Sequence, residues 1–432
     1  MCVALVAASA FAWTRVREDC GETVTSLPTA ESRSPFLDAE ERVEQPDEDR
    51  DRLVATLEAD PAPIGEVMGA VGYHYEQWAQ VSAYDQGIGV RTRDNPDFTM
   101  LDDADLEPLW SVQVETPRSA YDASAERYLV GALPAKEAPT LVALDASTGK
   151  RQWCGILETA PVGGGDPFAT AMLEGEDVMV LVDGPDGEEH LVRLDGDDGS
   201  VRWQRTADVG GGDFLGELGE GTVLAGGQDR FRLLDAESLA KRPEGPSLAL
   251  VSAADGSAVW RRESPAGTDV HVVGTDAGVG VAVLLEADGR TGKSRLVGID
   301  EDGDEEWSVV PATGSAYDTA LRAGRLLVRA GDRWSAHDVE SGELLWRRSV
   351  PERPQFLPYG FELEGAPLLD EGHVLVGGTT ALHTLALDDG TFTSAPLPTD
   401  GINTTFWPYQ VAVSPGSIAV ATNTGAAVVR RE

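Results

Sequence analysis

The chain has 432 residues and a formal charge of −40 at pH 7, from 74 acidic against 34 basic side chains. Such a field repels phosphate backbones and anionic lipid, which argues against nucleic acid and a charged bilayer surface as partners. Hydrophobic residues at 41% and a mean hydropathy of −0.20 exclude both a disordered chain and a multispanning membrane protein, while 48 glycines and 25 prolines point to many turns between short strands.

In chain order, residues Cys2 to Trp13 (CVALVAASAFAW) form an uncharged apolar run followed by Arg15 and Arg17. It reads as a signal or anchor remnant over residues 1–20, too short to span a bilayer and lacking a positive segment before it. From 21 to 70 the chain is rich in Glu, Asp, Pro, Ser and Arg, as expected of a solvated acidic tether that is disordered apart from a short helix around Asp49 to Ala59. The three cysteines, Cys2, Cys20 and Cys154, allow at most one internal disulfide. Cys20 with Cys154 is the pair to consider; free thiols are favoured, since Cys20 lies in the leader and Cys154 follows a repeat tryptophan.

From residue 71 to 432 one pattern recurs: an apolar strand, an Asp-rich turn with Gly, and a second strand entered by Trp. The copies are LVALDASTGKRQW (141–153), LVRLDGDDGSVRW (191–203), LALVSAADGSAVW (248–260), LVGIDEDGDEEW (296–307) and WSAHDVESGELLW (334–346). Gly149, Gly199, Gly256, Gly303 and Gly342 stand four residues before Trp153, Trp203, Trp260, Trp307 and Trp346. Alternation makes a half-buried strand, Asp opens the turn through its side chain, and Gly accepts the positive φ that the hairpin needs. The tryptophans read as structural, filling space between neighbouring units with an N–H that needs a polar partner. A weaker copy, FTMLDDADLEPLW (98–110), keeps Trp110 but lacks the glycine, and LHTLALDDGTFT (382–393) keeps Asp-Gly without Trp.

Two further strands per motif, such as VMVLVDG (178–184) or RLLVRAG (325–331), give four per unit at a spacing of roughly 40 to 55 residues. The expected fold is all-β: a β-propeller of four-stranded blades, eight in number with seven as the alternative, closed by N- and C-terminal strands. The last segment, SIAVATNTGAAVVRRE (417–432), stops before a Trp strand, and YEQWAQVSAY (75–84), with Trp78, is expected to supply the missing outer strand.

These copies resemble the PQQ-like β-propeller repeat, found in quinoprotein alcohol dehydrogenases and in the outer-membrane-assembly lipoprotein of the Bam complex. The resemblance spans roughly residues 73 to 432 and places Trp153, Trp203, Trp260, Trp307 and Trp346 at the family's blade tryptophans. For the dehydrogenases it would imply a quinone, a bound calcium or lanthanide, an aspartate base and a vicinal disulfide. This chain has neither a Cys-Cys pair nor a CxxCH motif. It resembles the Bam lipoprotein more than the dehydrogenases.

Other motifs read as ordinary structure. DEDGDEE (300–306) lacks the glycine and distal Glu of a calcium loop and reads as a hairpin. GGGD at 163–166 and 210–213 lacks the Lys-Ser/Thr of a phosphate loop, and the six histidines (His74, His190, His271, His337, His373, His383) read as scattered strand residues. No CxxC, HExxH or GxSxG is present, so no catalytic, cofactor or metal residue is assigned. Aromatic segments GYHYEQW (72–78) and NTTFWPY (403–409) read as core of the closing blade.

The sequence therefore predicts a monomeric, non-enzymatic scaffold outside the membrane, anchored through its N-terminal segment or secreted, that binds an envelope protein or extracellular polymer through its loops and carries no cofactor. The alternatives are a small enzyme acting on quinone or sugar in the central channel, and a cytoplasmic location if the apolar run is not a signal. Four lysines among 34 basic residues are a bias of GC-rich, actinobacterial-type genomes.

Overall fold

The computed structural model describes residues 14–16, 24–27, 36, 38, 47, 50–51, 54–55, 58, 66–72, 79–84, 87–92, 95–114, 117–123, 127–132, 140–157, 169–173, 177–183, 189–207, 214–219, 221–226, 245–264, 268–288, 291, 293–311, 318–330, 333–349, 368–377, 381–396, 410–421 and 425–431. Trp78, Cys2, Cys20, His74, both GGGD segments and residues 403–409 lie outside them.

Three short strands come first: β1 (Thr14–Val16), β2 (Val24–Leu27) and β3 (Val67–Gly72). Antiparallel meanders of four then follow along the chain. The first is β4 (Ala79–Tyr84), β5 (Gly87–Thr92), β6 (Asn95–Leu101) and β7 (Pro108–Val114). Next come β8 (Pro117–Ala123), β9 (Arg127–Ala132), β10 (Thr140–Asp145) and β11 (Arg151–Leu157). These are followed by β12 (Ala169–Met172), β13 (Val178–Asp183), β14 (Glu189–Leu194) and β15 (Val201–Thr206). The fourth meander is β16 (Phe214–Gly219), β17 (Thr222–Gly226), β18 (Gly245–Ser252) and β19 (Ala258–Ser264). The fifth is β20 (Thr268–Asp276), β21 (Val281–Asp288), β22 (Lys293–Ile299) and β23 (Glu305–Val309). The sixth is β24 (Asp318–Arg322), β25 (Arg325–Ala330), β26 (Arg333–Asp338) and β27 (Leu344–Ser349), and the seventh is β28 (Leu368–Asp370), β29 (His373–Gly377), β30 (Ala381–Ala386) and β31 (Phe392–Pro396). The chain closes with β32 (Gln410–Val413), β33 (Ser417–Ala421) and β34 (Gly425–Arg430).

Among the described residues these strands form eight sheets, and the fold is an all-β propeller type with eight blades. The chain divides into two compact units. One, Met1–Thr25 with Val114–Gly314, holds the blades from β8 to β23; the other, Ser26–Gln113 with Ser315–Glu432, holds the remaining four. In the first unit successive sheets stack face to face: Leu248 and Leu250 of β18 share one buried cluster with Val270 of β20 and Leu284 of β21. In the second, Trp334 and Trp346 pack with Val374 and Val376. Each fully buried leucine or valine contributes about 1.5–3 kcal/mol, so it is the two-faced apolar strands that drive the stacking.

The closing blade corrects one expectation. Its outer strand is β3, paired with β34 in the order β3-β34-β33-β32, with Val71 opposite Ala426 and Gly72 opposite Gly425. Residues 79–84 instead form β4, the first strand of the next blade. β3 fits because Val67 and Ala70 bury beside Val420, Ala427 and Val429.

The spans read as leader and tether contribute structure too. β2 adds a fifth strand outside β7, β1 adds one outside β11, and Phe36 and Val54 bury against core residues. Residues 50, 51, 54 and 55 are helical as expected, with Asp47 capping: its Oδ1 accepts from Arg50 N at 2.9 Å and its own N–H donates to Asp51 Oδ2 at 3.2 Å. Cys154, expected to be a free thiol, is disulfide-bonded, with its partner outside the described residues.

Candidate functional site

The recurring turn explains how the blades are fastened. Gly149, Gly199, Gly256, Gly303 and Gly342 all take positive φ, 62°, 71°, 70°, 83° and 69°. Each N–H closes the turn onto an acceptor three or four residues earlier, as from Gly199 to Asp195 O at 2.8 Å and from Gly342 to Asp338 O at 2.9 Å. One residue before each tryptophan the strand bulges. Register slips at this point opposite Trp110, Trp153, Trp203, Trp260, Trp307 and Trp346 alike. The extra residue twists the strand and turns the ring toward the neighbouring blade.

Trp153 Nε1 donates to Gly196 O (2.6 Å), Trp203 to Ala253 O (2.9 Å), Trp260 to Glu301 O (2.8 Å) and Trp346 to Leu387 O (2.6 Å). Each acceptor belongs to the turn of the following blade. The same four rings lie flat against that turn's glycine: a Cβ on Gly199 would stand 2.7 Å from Trp153, on Gly256 2.6 Å from Trp203, on Gly303 3.0 Å from Trp260, and on Gly390 2.5 Å from Trp346. The glycine thus serves twice, for its φ and for its missing side chain. Trp110 and Trp307 are also buried, Trp110 tilted against Phe98 at 5.6 Å. The copy without glycine places Leu106 in its stead, at φ 62° and buried.

Five of the six histidines fall in strands, with His190, His337 and His383 buried. Burial holds the His337 imidazole below its usual 6.5, its Nδ1 lying 3.1 Å from Gly342 O. DEDGDEE forms the β22–β23 turn, Asp300 Oδ1 accepting from Asp302 N at 3.0 Å and Asp304 N at 2.8 Å. Among the described residues no three His, Cys, Asp or Glu side chains converge at metal-binding distance.

The concave feature that the sequence did not reveal is a crevice of about 700 Å³ between the blades β16–β19 and β20–β23. One wall is the end of β19, Arg262, Glu263 and Ser264. The other is two cross-strand rows on one face of the next sheet: Val270, Glu286 and Arg295, then Thr268, Asp288 and Lys293. A charge ladder spans the floor. Arg262 Nη2 donates to Glu286 Oε1 (2.8 Å), Arg295 Nε to Glu286 Oε2 (2.7 Å), and Arg295 Nη1 reaches Glu305 Oε2 at 3.1 Å. Burial works against the Arg295 charge, but Glu286 and Glu305 outweigh it and raise the guanidinium above its usual value. Both Glu286 oxygens are thereby committed to arginines, so this carboxylate anchors the crevice and does not act as a base in it. Lys293 is exposed at the mouth, and Val310, 65% exposed, adds an apolar edge. Nothing in the repeat motif signals the crevice, because its residues come from the strand ends opposite the turns and from rows that meet only in three dimensions.

A family model for the outer membrane protein assembly factor BamB matches residues 40–229 and 244–430. Among solved structures, BamB from Moraxella catarrhalis aligns at 16% identity and a TM-score of 0.47, covering 83% of this chain and 100% of that one. The quinohemoprotein alcohol dehydrogenase ADHIIG from Pseudomonas putida HK5 aligns at 12% identity and 0.49, covering 84% and 75%. The dihydro-heme d1 dehydrogenase NirN, in complex with DHE, aligns at 14% and 0.47, covering 75% and 68%. No curated protein matches the chain.

Proposed function

We propose, since the chain belongs to the family of the outer membrane protein assembly factor BamB, that it is a non-enzymatic binding scaffold held outside the membrane, where it recognises an envelope protein or polymer. The observation that carries this reading is the family match, which runs through both compact units and nearly all of the repeat region. The crevice supports it chemically. Arg262, Glu286 and Arg295 at its floor are paired with one another, which suits recognition by shape and hydrogen bonding better than proton transfer.

The N-terminal apolar run fits anchorage or export of this scaffold, and the propeller itself acts as a monomer. No cofactor takes part. The test is affinity capture from an envelope fraction with the full chain, run beside titration with pyrroloquinoline quinone and calcium and assays on alcohols and sugars. A reproducible envelope partner without quinone saturation is the expected result. Stoichiometric quinone binding with turnover would overturn the reading and make the chain an enzyme.

A further inference from the structure

Among the described residues two blades carry a fifth strand from the N-terminal part of the chain, and the two are held differently. β1 pairs antiparallel with β11, setting Thr14 opposite Leu157, Arg15 opposite Ile156 and Val16 opposite Gly155. β2 lies outside β7. Beyond β2 the chain is fastened by packing, since Phe36 and Val54 are buried in core clusters.

Three paired residues supply only a few backbone hydrogen bonds, whose net contribution is about offset by the entropy lost in ordering the segment. β1 therefore needs another fastening, and β11 provides one. Cys154, the neighbour of Gly155 and 2% exposed, is disulfide-bonded. The chain's other cysteines are Cys2 and Cys20, both N-terminal to β2, so the bridge ties the leader segment to β11 whichever of them it joins. Val16 faces Gly155; Cys20 stands four residues after Val16, and Cys2 fourteen before it. The β7 strand, PLWSVQV, contains no cysteine.

We propose that Cys154 is bridged to Cys20 and that this disulfide makes β1 a redox-sensitive strap: oxidised, it holds β1 over the outer edge of β11; reduced, β1 leaves and the edge opens. A covered edge is closed to pairing with another chain. The reductant is a dithiol. Because Cys154 is buried, the entering thiolate attacks the Cys20 sulfur and expels Cys154; the donor's second thiol then resolves the mixed disulfide. One S–S bond breaks here and one forms on the donor, two electrons and two protons passing to the cysteine pair. The apolar run ends at Trp13, directly before β1, so the strap also fixes where that run leaves the fold; reduction moves this point to β2, about 35 Å of extended chain further on. That last consequence rests on the anchorage proposed above, and the strap itself does not.

The test uses the purified full chain as wild type, as Cys2→Ser and as the double variant Cys2→Ser/Cys20→Ser. Both variants leave the buried Cys154 side chain in place, and removing Cys2 prevents it from taking the place of Cys20. Alkylation in denaturant, read by intact mass, should mark one cysteine of the wild type without reductant and all three after reduction. Tryptic cleavage at Arg15–Val16, which requires β1 to open, should run about tenfold faster or more in the double variant and in dithiothreitol-treated wild type than in oxidised wild type or Cys2→Ser. Amide exchange in the peptide covering 154–157 should rise in step while that of β7 stays unchanged. Three cysteines alkylated without reductant, equal cleavage in the double variant and the oxidised wild type, or Cys2→Ser behaving as the open form would overturn the proposal. So would exchange rising in β7 together with β11, since the bridge would then staple the whole fold and not β1. Quinone turnover would refute the scaffold reading and leave the strap standing.

Discussion

Substituting alanine at two glycines with the same backbone separates the two jobs that the turn glycine performs. Gly199 and Gly221 both have φ +71°, so Gly→Ala at either position forces a left-handed alanine, at about 1–2 kcal/mol. At Gly221 nothing lies within 4 Å of the new Cβ, whereas at Gly199 the Trp153 ring stands 2.7 Å away. That ring has little room to retreat, being buried in the cluster of Leu129, Leu141, Val178 and Val180 and tied to Gly196 O. Overpacking adds about 1–3 kcal/mol, so Gly199→Ala should cost about 2–5 kcal/mol against about 1–2 for Gly221→Ala. Urea unfolding followed by tryptophan fluorescence measures both, read from the midpoints at constant slope. Equal losses would refute the idea that the tryptophan is stacked on the next blade's glycine. A Gly199→Ala penalty that persists unchanged in a Trp153→Leu background would refute it too.

Three other expectations follow from particular contacts. Asp177, 3% exposed, accepts from Arg193 Nε at 2.8 Å, Arg202 Nε at 2.8 Å and Gly196 N at 3.1 Å, and Arg193 Nη1 reaches on to Ala253 O at 2.5 Å. Asp177→Asn should destabilise by about 3–5 kcal/mol in urea, the scale for breaking a buried pair, and a loss below 1 kcal/mol would deny the network a structural role. Leu106 holds a left-handed backbone while burying its side chain, so Leu106→Ala, which keeps the strain and loses the packing, should be less stable than Leu106→Gly; the reverse order of thermal midpoints would show that φ there carries no cost. The Asp145 carboxyl is held below its usual 3.8 by hydrogen bonds from Thr148 and Ser147, and Asp338 is lowered similarly by Ser341. A depressed carboxylate contributes stability that is present above its unfolded value and lost as pH falls through the folded one, so the urea midpoint should drop on acidification below about pH 4. Replacing Ser147 and Thr148 by alanine should make that acid limb shallower, and an unchanged limb would count against the turn carboxylates as its source.

Much of the architecture was legible because the repeat writes local physics. Alternation gave the strands, the Asp-to-Gly turn fixed which strands pair, and the spacing of the repeats favoured eight blades over seven. What escaped were pairings made across the chain. β3 carries no Trp, so the outer strand of the closing blade was assigned to residues 75–84, although Val67 and Ala70 have the apolar surface that β34 needs. β1 lies at the end of the apolar leader and β2 in the polar tether, and neither composition signals a strand that needs only backbone hydrogen bonds on an existing edge. The disulfide at Cys154 depends on where that N-terminal segment goes, which spacing cannot tell. The crevice was invisible for a related reason: Glu286 and Arg295, 2.7 Å apart across β21 and β22, are ordinary strand charges until the adjacent blade brings Arg262 within 2.8 Å of Glu286.

The scaffold reading is tested most directly by photocrosslinking from the crevice in intact cells. A crosslinking amino acid in place of exposed Lys293 is compared with one in place of Val279, 45% exposed in the β20–β21 turn at the opposite end of the same blade. The account predicts a discrete protein adduct from position 293 and none from position 279. Adducts of equal yield from both, or none from 293 in cells that express the full chain, would contradict it.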